Sequence, residues 1–514
     1  MAKPTDKLAE SLEVLRSLQK RGHIAIQSKN LTRLHRERLK KAGFLKEVMR
    51  GWYIPARPNE SAGESTPWYA SYWQFCGTYL QARFGTKWSL SPEQSVLLLA
   101  GNKTVPAQLL VRAPQARNQV TRFPHETSLF EVRAALPEKS DLITNEDNLK
   151  LFSLPSALIQ CSEDFYTRYP TDARTALSML QDASDILAPL LEGGHSVVAG
   201  RIAGALRNIG RGRMADTIMN AMRAANYLVQ ERDPFVTQLA GNVLQTRERS
   251  PYVNRIRLMW QSMREQIIQA FPASPGMPED IDAYMKAVAD SYAQDAYNSL
   301  SIEGYRVSAE LIEQVRSGKW APDTNENDKQ QRDAMAARGY WLAYQEVQKS
   351  LLEILKGKNA GEVADYDHGT WYLKMFEPSV TVGLLKASDL AGYRSGPVYI
   401  RRSMHTPPNA EAVRDLMPVF FELLANEPEA SVRVVLGHFI FVYIHPYIDG
   451  NGRIGRFLMN AMLASGGYPW TIVPLAVRDE YMNALEQASV AQDIKPFAEL
   501  IGRLVREALK QQSA

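Results

Sequence analysis

The chain has 514 residues, of which 45% are hydrophobic and 23% charged, a composition that excludes wholesale disorder and predicts about three domains. Two cysteines, Cys76 and Cys161, are too few for a disulfide framework or a four-thiolate zinc site. Because the longest apolar run is too short for a bilayer and the N-terminus lacks a signal peptide, we expect a cytoplasmic protein without a membrane segment. The net charge of +4 is uneven: residues 1–60 carry +8 and the rest −4, which suggests a polyanion partner for the basic segment.

Residues 1–60 predict two helices followed by a hairpin. Leucines at helical spacing predict the first helix over 5–20, and the second, over 30–42, would be capped by Ser28 or Asn30. The segment after it predicts a short hairpin, because strand-like residues flank a glycine turn.

This order is the outline of a winged helix-turn-helix, in which the second helix contacts DNA and the hairpin, turning near Arg50, forms the wing. The alternative is a small domain whose basic face is only solvated. The residues predicted to bind DNA are Arg33, Arg36, Lys40 and Lys41.

Residues 61–185 predict a mixed α/β region. Strand-like runs occupy 95–101, 107–114 and 128–136, and a helical stretch follows near 153–161. We therefore expect a small sheet with helices, although its role is not indicated by any motif.

Residues 186–270 predict a helical region rich in small residues that permit close packing, and the prolines of 271–282 predict a linker. The stretch 1–270 resembles proteins in which an antitoxin-like winged helix of the abortive-infection regulator type precedes an enzyme. That resemblance implies regulation rather than chemistry.

The remainder predicts a helix with its connection over 283–329 and a helical core over 330–514. One interruption, 393–408, has β-branched and aromatic residues before a double proline and predicts an exposed hairpin. The helices are expected near 283–302, 330–356, 410–426, 431–445, 453–466 and 480–511.

The glycines of 450–455 fit G-x-G-x-x-G, and an acidic residue follows at Asp479, so a dinucleotide-binding Rossmann fold is one interpretation. Three observations oppose it. Five residues from His445 separate the glycines from the preceding apolar run, Arg453 and Arg456 stand where small apolar residues are expected, and too few residues follow to complete the sheet.

A loop between two helices fits the segment better. The apolar run 432–444 is long enough for a buried helix, which the proline after His445 would end. The glycines of 449–452 let backbone N–H groups approach an anion, and Arg453 and Arg456 lie on one face of the next helix. A histidine, a carboxylate, backbone amides and two arginines predict a nucleotide-phosphate site with a proton acceptor at its edge.

Residues His445–Arg456 resemble the signature of the Fic family, H-x-F-x-[D/E]-G-N-G-R-x-x-R, at every defined position except Tyr447. Phenylalanine is usual there, so the tyrosine hydroxyl needs a partner. The resemblance extends over about 285–510 and implies transfer of AMP from ATP to a Ser, Thr or Tyr hydroxyl of a target protein.

In terms of the family, His445 is the general base, Asp449 holds Mg²⁺, and Arg453 and Arg456 bind the β- and γ-phosphates. A histidine near its ordinary pKa would suit a base at neutral pH. The α-phosphate cradle that the resemblance implies consists of Gly450, Asn451 and Gly452.

The segment 393–408 corresponds to the family's flap, whose backbone would align the target by strand addition. Tyr481 and Asn460 are predicted to contact adenine, with a packing role as the alternative. The flap residues expected to meet the target are Val398, Tyr399, Ile400, Arg401 and Arg402.

Upstream, Ser299–Gly304 resembles the family's inhibitory motif, [S/T]-x-x-x-E-[G/N], with Ser299, Glu303 and Gly304 at its defined positions. The alternative is a helix that simply ends at Gly304. The resemblance implies that Glu303 pairs with Arg456 and allows ATP to bind only in an unproductive pose.

The sequence thus predicts a mainly helical protein, with a Fic core and β-hairpin flap behind an α/β region and a winged helix. A self-inhibited protein adenylyltransferase is the first hypothesis, and a DNA-binding transcription regulator whose Fic module senses nucleotide is the second. UTP or GTP as donor and removal of AMP by the same site also stay open, as does the oligomeric state.

Overall fold

In this computed structural model, the residues described are 4–20, 24–58, 65–237, 244, 248, 250–318 and 328–512. They are mainly helical, as predicted. They form two compact units: the first comprises Met1–Arg255 with Tyr399–Thr406, and the second Ile256–Val398 with Pro407–Ala514. The six predicted segments stay predictions, and the boundary at 60/61 and residues 319–327 of the segment 283–329 lie outside the described residues. Within the described ranges, no helix combines the length and apolar character needed to cross a membrane.

The first unit begins with α1 (Pro4–Lys20), β1 (Ile26–Gln27), α2 (Arg33–Lys41), β2 (Leu45–Met49) and β3 (Trp52–Pro55). The strands form an antiparallel sheet in the order β1-β3-β2, so the predicted hairpin is confirmed and gains a third strand. The predicted caps Ser28 and Asn30 are wrong. Thr32 caps α2 instead, because its hydroxyl accepts a 3.3 Å hydrogen bond from the His35 amide.

A mixed region follows: α3 (Thr66–Phe84), β4 (Ser89–Leu90), α4 (Pro92–Leu99), β5 (Gln108–Ala113), β6 (Gln119–Arg122), β7 (Ser128–Arg133), β8 (Leu142–Thr144), β9 (Lys150–Phe152) and α5 (Leu154–Gln160). Its main sheet has the order β4-β5-β7-β6, and β5 pairs in parallel with β7. The predicted strand at 95–101 is wrong, because Ser91 caps a helix there and Pro92 begins it. The sequence did not predict α3, whose buried aromatic residues leave no polar stripe.

The helical part of the first unit contains α6 (Glu163–Arg168), α7 (Pro170–Met179), α8 (Ser184–Glu192), α9 (Ser196–Asn208) and α10 (Gly212–Ala224), and α11 (Pro251–Ala270) leads out of it. The small residues of α9 allow a close approach, but it is made by the non-helical segment 230–232 and not by another helix. A Cβ on Gly200 would lie 1.9 Å from the Gln230 carbonyl oxygen, and one on Gly204 would lie 2.3 Å from that of Arg232. Glycine is therefore required at these two positions of α9, where the segment 230–232 crosses the helix.

The second unit contains α12 (Ile281–Ile302), α13 (Ala309–Arg316), α14 (Asp328–Leu355), α15 (Ala360–Thr381), α16 (Ala410–Asn426), α17 (Ala430–Ile444), α18 (Asn451–Ala464), α19 (Arg478–Glu486) and α20 (Lys495–Gln512). The single helix predicted over 480–511 is two helices, since a π-helical turn ends α19 and Gln492 takes a left-handed conformation, with φ 57°. The helices α13 and α15 were not predicted.

The hairpin predicted over 393–408 is wrong, because none of these residues lies in a strand. The side chain of Arg394 binds the carbonyls of Gly396 and Pro408, which a strand ladder would have needed. Prolines at 397, 407 and 408 also lack the N–H that pairing requires.

The centre of the second unit is α17. Apart from Arg433, its residues from Ala430 to Ile444 are buried, and α18 packs against it. Only six residues, 445–450, separate the C-terminus of α17 from the N-terminus of α18. The fold therefore brings His445 and the start of α18 together at one end of the core.

Candidate active site

His445 ends α17 in the left-handed conformation, with φ 55° and ψ 60°. Its Nδ1 lies 3.1 Å from the carbonyl oxygen of Val442. Because a carbonyl only accepts, the neutral ring carries its proton on Nδ1 and keeps a lone pair on Nε2. Burial, with help from the charge of Arg394, lowers the pKa of His445 to about 4, so the expectation of an ordinary pKa is wrong. The ring is therefore neutral and basic at physiological pH.

The loop after His445 is held by the side chain of Asn451, which binds the loop's backbone. The Asn451 side chain accepts from the Tyr447 amide at 2.9 Å and donates to the Tyr447 carbonyl at 2.8 Å. Gly450 has φ 80°, and a Cβ there would lie 2.9 Å from the Phe376 ring. This tight turn directs the N-terminus of the fourteen-residue α18 towards the loop, where its free N–H groups favour an anion.

Arg453 is a buried cation with few partners. Its side chain is 2% exposed, and its guanidinium carbon lies 5.2 Å from the ring centres of both Tyr305 and Phe376. The nearest carboxylate is that of Asp449, at 3.7 Å, and within the described residues Nε has no hydrogen-bond partner. Because an unsatisfied buried cation is costly, this geometry is typical of a site that receives an anion.

Arg456 is bound to the end of α12. Its Nη2 lies 2.8 Å from Glu303 Oε1 and 3.0 Å from the Ser299 carbonyl oxygen, and its Nε donates to Ser299 Oγ at 2.9 Å. Burial alone would raise the pKa of Glu303, but the charges of Arg456 and Arg453 lower it overall. The predicted pairing of Glu303 with Arg456 is present, and both groups are charged at neutral pH.

The Glu303 carboxylate lies directly over Gly452. A Cβ at position 452 would be 2.3 Å from Glu303 Oε1 and 3.4 Å from Arg456 Nη1. The Glu303 side chain is nevertheless 32% exposed, so the ion pair stands at the edge of the core. The end of α12, where Gly304 has φ 87°, therefore covers the first turn of α18.

A second acidic group on α12 faces the same core. Asp295 is buried, and its Oδ2 accepts a 2.6 Å hydrogen bond from the Tyr340 hydroxyl. Burial raises the pKa of Asp295 to about 6, although the hydrogen bond of Tyr340 and the charge of Arg456 act in the opposite direction.

Asp449 fits the predicted magnesium ligand. Its side chain is 64% exposed, and its Oδ1 accepts from the Gly450 amide at 2.6 Å. Among the described residues there is no cluster of three or more His, Cys, Asp or Glu side chains. A single exposed carboxylate beside a phosphate-binding loop suits Mg²⁺, which is held by one or two carboxylates together with substrate phosphates.

Tyr447, the departure from the family signature, lies in an aromatic cluster. It is 2% exposed, and its ring stacks on that of Tyr372 with a centroid distance of 3.8 Å and an angle of 6°. The rings of Tyr393, His368 and Phe441 surround the pair. The tyrosine thus packs in the core as a phenylalanine would.

Tyr481 and Asn460 use their polar atoms within the protein. The Tyr481 hydroxyl lies 2.7 Å from Nε2 of the buried His438. Asn460 accepts from the Thr471 amide at 2.8 Å and donates to the carbonyls of Thr471 and Arg456. Both side chains are at most 2% exposed, so this geometry favours the packing alternative, and their contact with adenine stays a prediction.

The predicted flap residues are divided between the units. Val398 belongs to the second unit, whereas Tyr399, Ile400, Arg401 and Arg402 belong to the first. There the Arg402 amide donates to Thr66 Oγ1 at 3.2 Å, and the Val105 amide donates to the Met404 carbonyl at 3.0 Å. Part of the flap backbone is thus already hydrogen-bonded, and strand addition by a target stays a prediction.

Sequence analysis missed three residues around the loop. Tyr305 and Phe376 flank Arg453, and Arg394 donates to the His445 carbonyl at 2.7 Å. Phe376 lies on α15, a helix that was not predicted, and Tyr305 follows the inhibitory motif without belonging to it. No repeated spacing marks Arg394, so only the folded chain reveals it.

The predicted DNA-binding residues lie on α2, and most of them have acidic or aromatic neighbours. Arg33 pairs with Glu37 at 2.8 Å and Lys40 with Glu47 at 2.6 Å. Arg36 donates to the Ser28 carbonyl, and its guanidinium lies 5.9 Å from the Tyr53 ring centre. Lys41 is exposed. Surface ion pairs of this kind are weak and exchange readily, so they leave the DNA interface a prediction.

Comparison with known proteins gives one family match. Residues 374–463 match the Fic/DOC family. The protein adenylyltransferase Fic of Nematostella vectensis is 27% identical over 300 residues, which are 55% of this chain and 64% of that protein. The protein of the same name from Drosophila willistoni is 29% identical over 231 residues, 44% of this chain and 43% of its own length. The chain therefore spans less than two thirds of these curated relatives.

A solved structure of Fic-1 from C. elegans aligns with a TM-score of 0.37 and 17% identity, covering 64% of this chain and 93% of that one. The family match and the curated relatives support the Fic family for the segment around His445 and α18, and they say nothing of the winged helix.

Proposed function

We propose that the chain is a self-inhibited protein adenylyltransferase that transfers AMP from ATP to a Ser, Thr or Tyr hydroxyl of a protein. The observation that carries the proposal is the neutral His445, whose Nδ1–H is bound to Val442 and whose Nε2 is free to take a proton. It adjoins the anion-binding N-terminus of α18, where the buried Arg453 has an unsatisfied Nε. Curated relatives with this activity support the same conclusion.

In the proposed reaction, the target hydroxyl attacks the α-phosphorus of ATP while its proton passes to His445 Nε2. The bond from the α-phosphorus to the oxygen bridging the β-phosphate breaks, and pyrophosphate leaves. Gly450, Asn451 and Gly452 would bind the α-phosphate through the N-terminus of α18, and Arg453 the β-phosphate. Asp449 would hold Mg²⁺, which neutralises phosphate charge when bound.

The inhibition proposed for Glu303 acts through Arg456. In the family, this arginine binds the γ-phosphate, but here Glu303 and Ser299 take three of its hydrogen bonds. ATP would then lack its γ-phosphate anchor, and the α-phosphorus would not face His445. Freeing Arg456 should therefore activate the enzyme.

Incubation of purified full-length protein with Mg²⁺ and ATP labelled at the α-phosphate tests the proposal. We expect Glu303→Gly to label itself about ten- to a thousand-fold faster than the wild type, since a charge-assisted pair is worth a few kcal/mol. Adding His445→Ala should abolish that gain. Glu310→Gln, at an exposed glutamate on α13, is the matched control and should label like the wild type. Equal labelling by the wild type and Glu303→Gly would refute inhibition by α12.

Removal of AMP is a second candidate for the same site. The Glu303 carboxylate is ionised, a third exposed and adjacent to Gly452, so it could orient a water. Wild-type protein added to a pre-labelled target should then release AMP, whereas Glu303→Gln should not. Competition by unlabelled UTP and GTP in the transfer assay would identify the donor nucleotide.

We also propose that the N-terminal basic segment binds a polyanion such as DNA. Lys29 and Arg50 line an open groove of about 460 Å³ with Trp52 and Tyr79, close to α2 in sequence. Full-length protein should bind duplex DNA with an affinity that falls steeply with salt. If it shows no binding at low salt, this segment has another partner. The alternative hypothesis, a transcription regulator whose Fic module senses nucleotide, requires DNA binding without AMP transfer. The cytoplasmic location is a separate prediction that rests on the sequence alone.

A further inference from the structure

Arg394 is a buried arginine whose side chain binds the backbone at four places. It is 1% exposed, and its nitrogens lie 2.7 Å from the carbonyl oxygen of His445, 3.3 Å from that of Ile444, 3.1 Å from that of Gly396 and 2.5 Å from that of Pro408. A guanidinium has five N–H donors in one rigid plane, and here that plane joins three separate parts of the chain.

Two of these bonds reach the end of α17. The residue at that end, His445, has a positive φ that non-glycine residues adopt only when their surroundings impose it. Its amide donates to Phe441 and its Nδ1 to Val442, which fixes the ring relative to the helix. Arg394 holds the carbonyl side of the same residue and thereby completes the set of contacts that imposes the conformation.

The other two bonds reach the ends of the flap. Gly396 and Pro408 stand on either side of the segment that the family uses to align its target, and both carbonyls point to the guanidinium of Arg394. The Arg394 amide also donates to the Pro446 carbonyl at 2.9 Å, just after His445. One side chain therefore links the base of the flap to the backbone of His445.

We infer that Arg394 is a positioning residue for AMP transfer, which sets the distance between the flap-bound target and His445. The inference rests on the proposed function. The four carbonyls that the Arg394 side chain binds lie outside the nucleotide loop 449–456, so we expect its loss to leave ATP binding unchanged. Because misplacement by about 1 Å can cost a hundredfold in rate, its loss should lower transfer strongly.

The test uses Arg394→Gln and Arg394→Lys in the full-length Glu303→Gly protein. The matched control is Arg433→Gln, since Arg433 also binds carbonyls, those of Glu427 and Pro428, but at the N-terminal end of α17. For Arg394→Gln we expect the rate constant of self-labelling at saturating ATP to fall about a hundredfold, with the dissociation constant of ATP within about twofold of the parent.

Arg394→Lys retains the charge and a donor, so it should recover about tenfold of the lost rate. A merely structural role would instead lower ATP binding, melting temperature and transfer together, as for any destabilising variant. If Arg394→Gln lowers transfer no more than Arg433→Gln does, or if ATP binding falls in step with transfer, Arg394 is not a positioning residue.

Hydrogen exchange of the same variants separates this inference from the proposed function. In Arg394→Gln, amides of 395–408 and of 441–446 should exchange faster together, whereas those of 449–456 should not change. This readout does not need activity. Failure of the Glu303→Gly parent to transfer AMP would refute the proposed function, and unchanged exchange in both segments would refute the link through Arg394.

Discussion

Two helices that carry basic residues, α18 and α2, place their charges in opposite environments. On α18, Arg453 and Arg456 are 2% and 4% exposed, and the guanidinium of Arg453 lies between two aromatic rings. On α2, the side chain of Arg33 is 83% exposed and that of Lys40 41% exposed, and each pairs with a glutamate on the surface.

Burying a cation costs several kcal/mol unless the fold supplies partners, whereas an exposed ion pair contributes about 1 kcal/mol or less. Folding alone therefore does not explain the buried arginines of α18, which suit a site that receives an anion. The exposed ion pairs of α2 need no such explanation. The comparison teaches that sequence composition locates charged residues, whereas burial indicates which of them belong to a functional site. It also predicts large effects for buried groups and small ones for exposed groups.

The largest effect is expected from His445→Ala. Because the histidine acts on the target hydroxyl and not on the nucleotide, transfer by the Glu303→Gly protein should fall by about 10²–10⁴. The dissociation constant of ATP, measured by titration calorimetry, should be nearly unchanged. Persistent labelling would show that another base serves the site, and lost ATP binding would show that the ring supports the loop. His445→Gln controls for the loss of side-chain volume in His445→Ala.

A smaller effect, on stability, is expected from Asp295→Asn. The folded pKa of about 6 lies above the unfolded value of about 3.8, so the folded state binds the proton more tightly and ionisation weakens it as pH rises. The amide can still accept from the Tyr340 hydroxyl. The variant should be more stable than the parent at pH 8, and about 1.4 kcal/mol of that advantage should vanish by pH 5.

Urea unfolding of the full chain at both pH values measures this difference. Asp290→Asn, on the exposed side of the same helix, is the control for loss of a carboxylate from α12. An advantage for Asp295→Asn that is equal at pH 5 and pH 8 would contradict the raised pKa.

On α2, substitution of Arg33, Arg36 and Lys40 by alanine in the full chain should weaken DNA binding at low salt and flatten its dependence on salt. Each lost phosphate contact lowers the slope of log affinity against log salt by about 0.9. Because Arg33 and Lys40 are already ion-paired, we expect a decrease of less than about 2.7. An unchanged slope would place the DNA contact elsewhere, and a lowered melting temperature would show that these pairs matter for folding.

The smallest effect is expected from pH. Since burial lowers the pKa of His445 to about 4, the base stays neutral, and transfer by Glu303→Gly should change by less than about twofold between pH 8 and pH 5.5. A histidine with the ordinary pKa of about 6.5 would lose about tenfold over that range. An inflection near pH 6.5 would therefore show that His445 is exposed to water in the working enzyme.

The loop and its motif could be predicted because their geometry is local. Proline after His445 ends α17, glycines make the turn, and Arg453 and Arg456 share a face of α18, all within twelve residues. The pairing of Glu303 with Arg456 spans 153 residues and was accessible only through the family resemblance.

The rest depends on contacts between distant elements. The flap has a strand-like composition, but the side chain of Arg394 binds the carbonyls of Gly396 and Pro408, which strand pairing would need. The Tyr481 hydroxyl lies 2.7 Å from Nε2 of the buried His438, and no local spacing reveals a contact between residues so far apart in the sequence. The helix α15 was missed because its sequence lacks a clear apolar stripe, although it supplies Phe376 to Arg453.

Gly452 restricts how this control can be lost in evolution. The Glu303 carboxylate occupies the space left by its absent Cβ, and under the proposed function the same space receives the substrate phosphate once inhibition is released. A larger residue at position 452 would displace both the carboxylate and the phosphate. A single substitution of Gly452 therefore cannot remove the proposed inhibition and retain AMP transfer. Selection for higher activity is therefore directed to α12, where Glu303 can change without altering the loop, and natural gain-of-function alleles should be sought there.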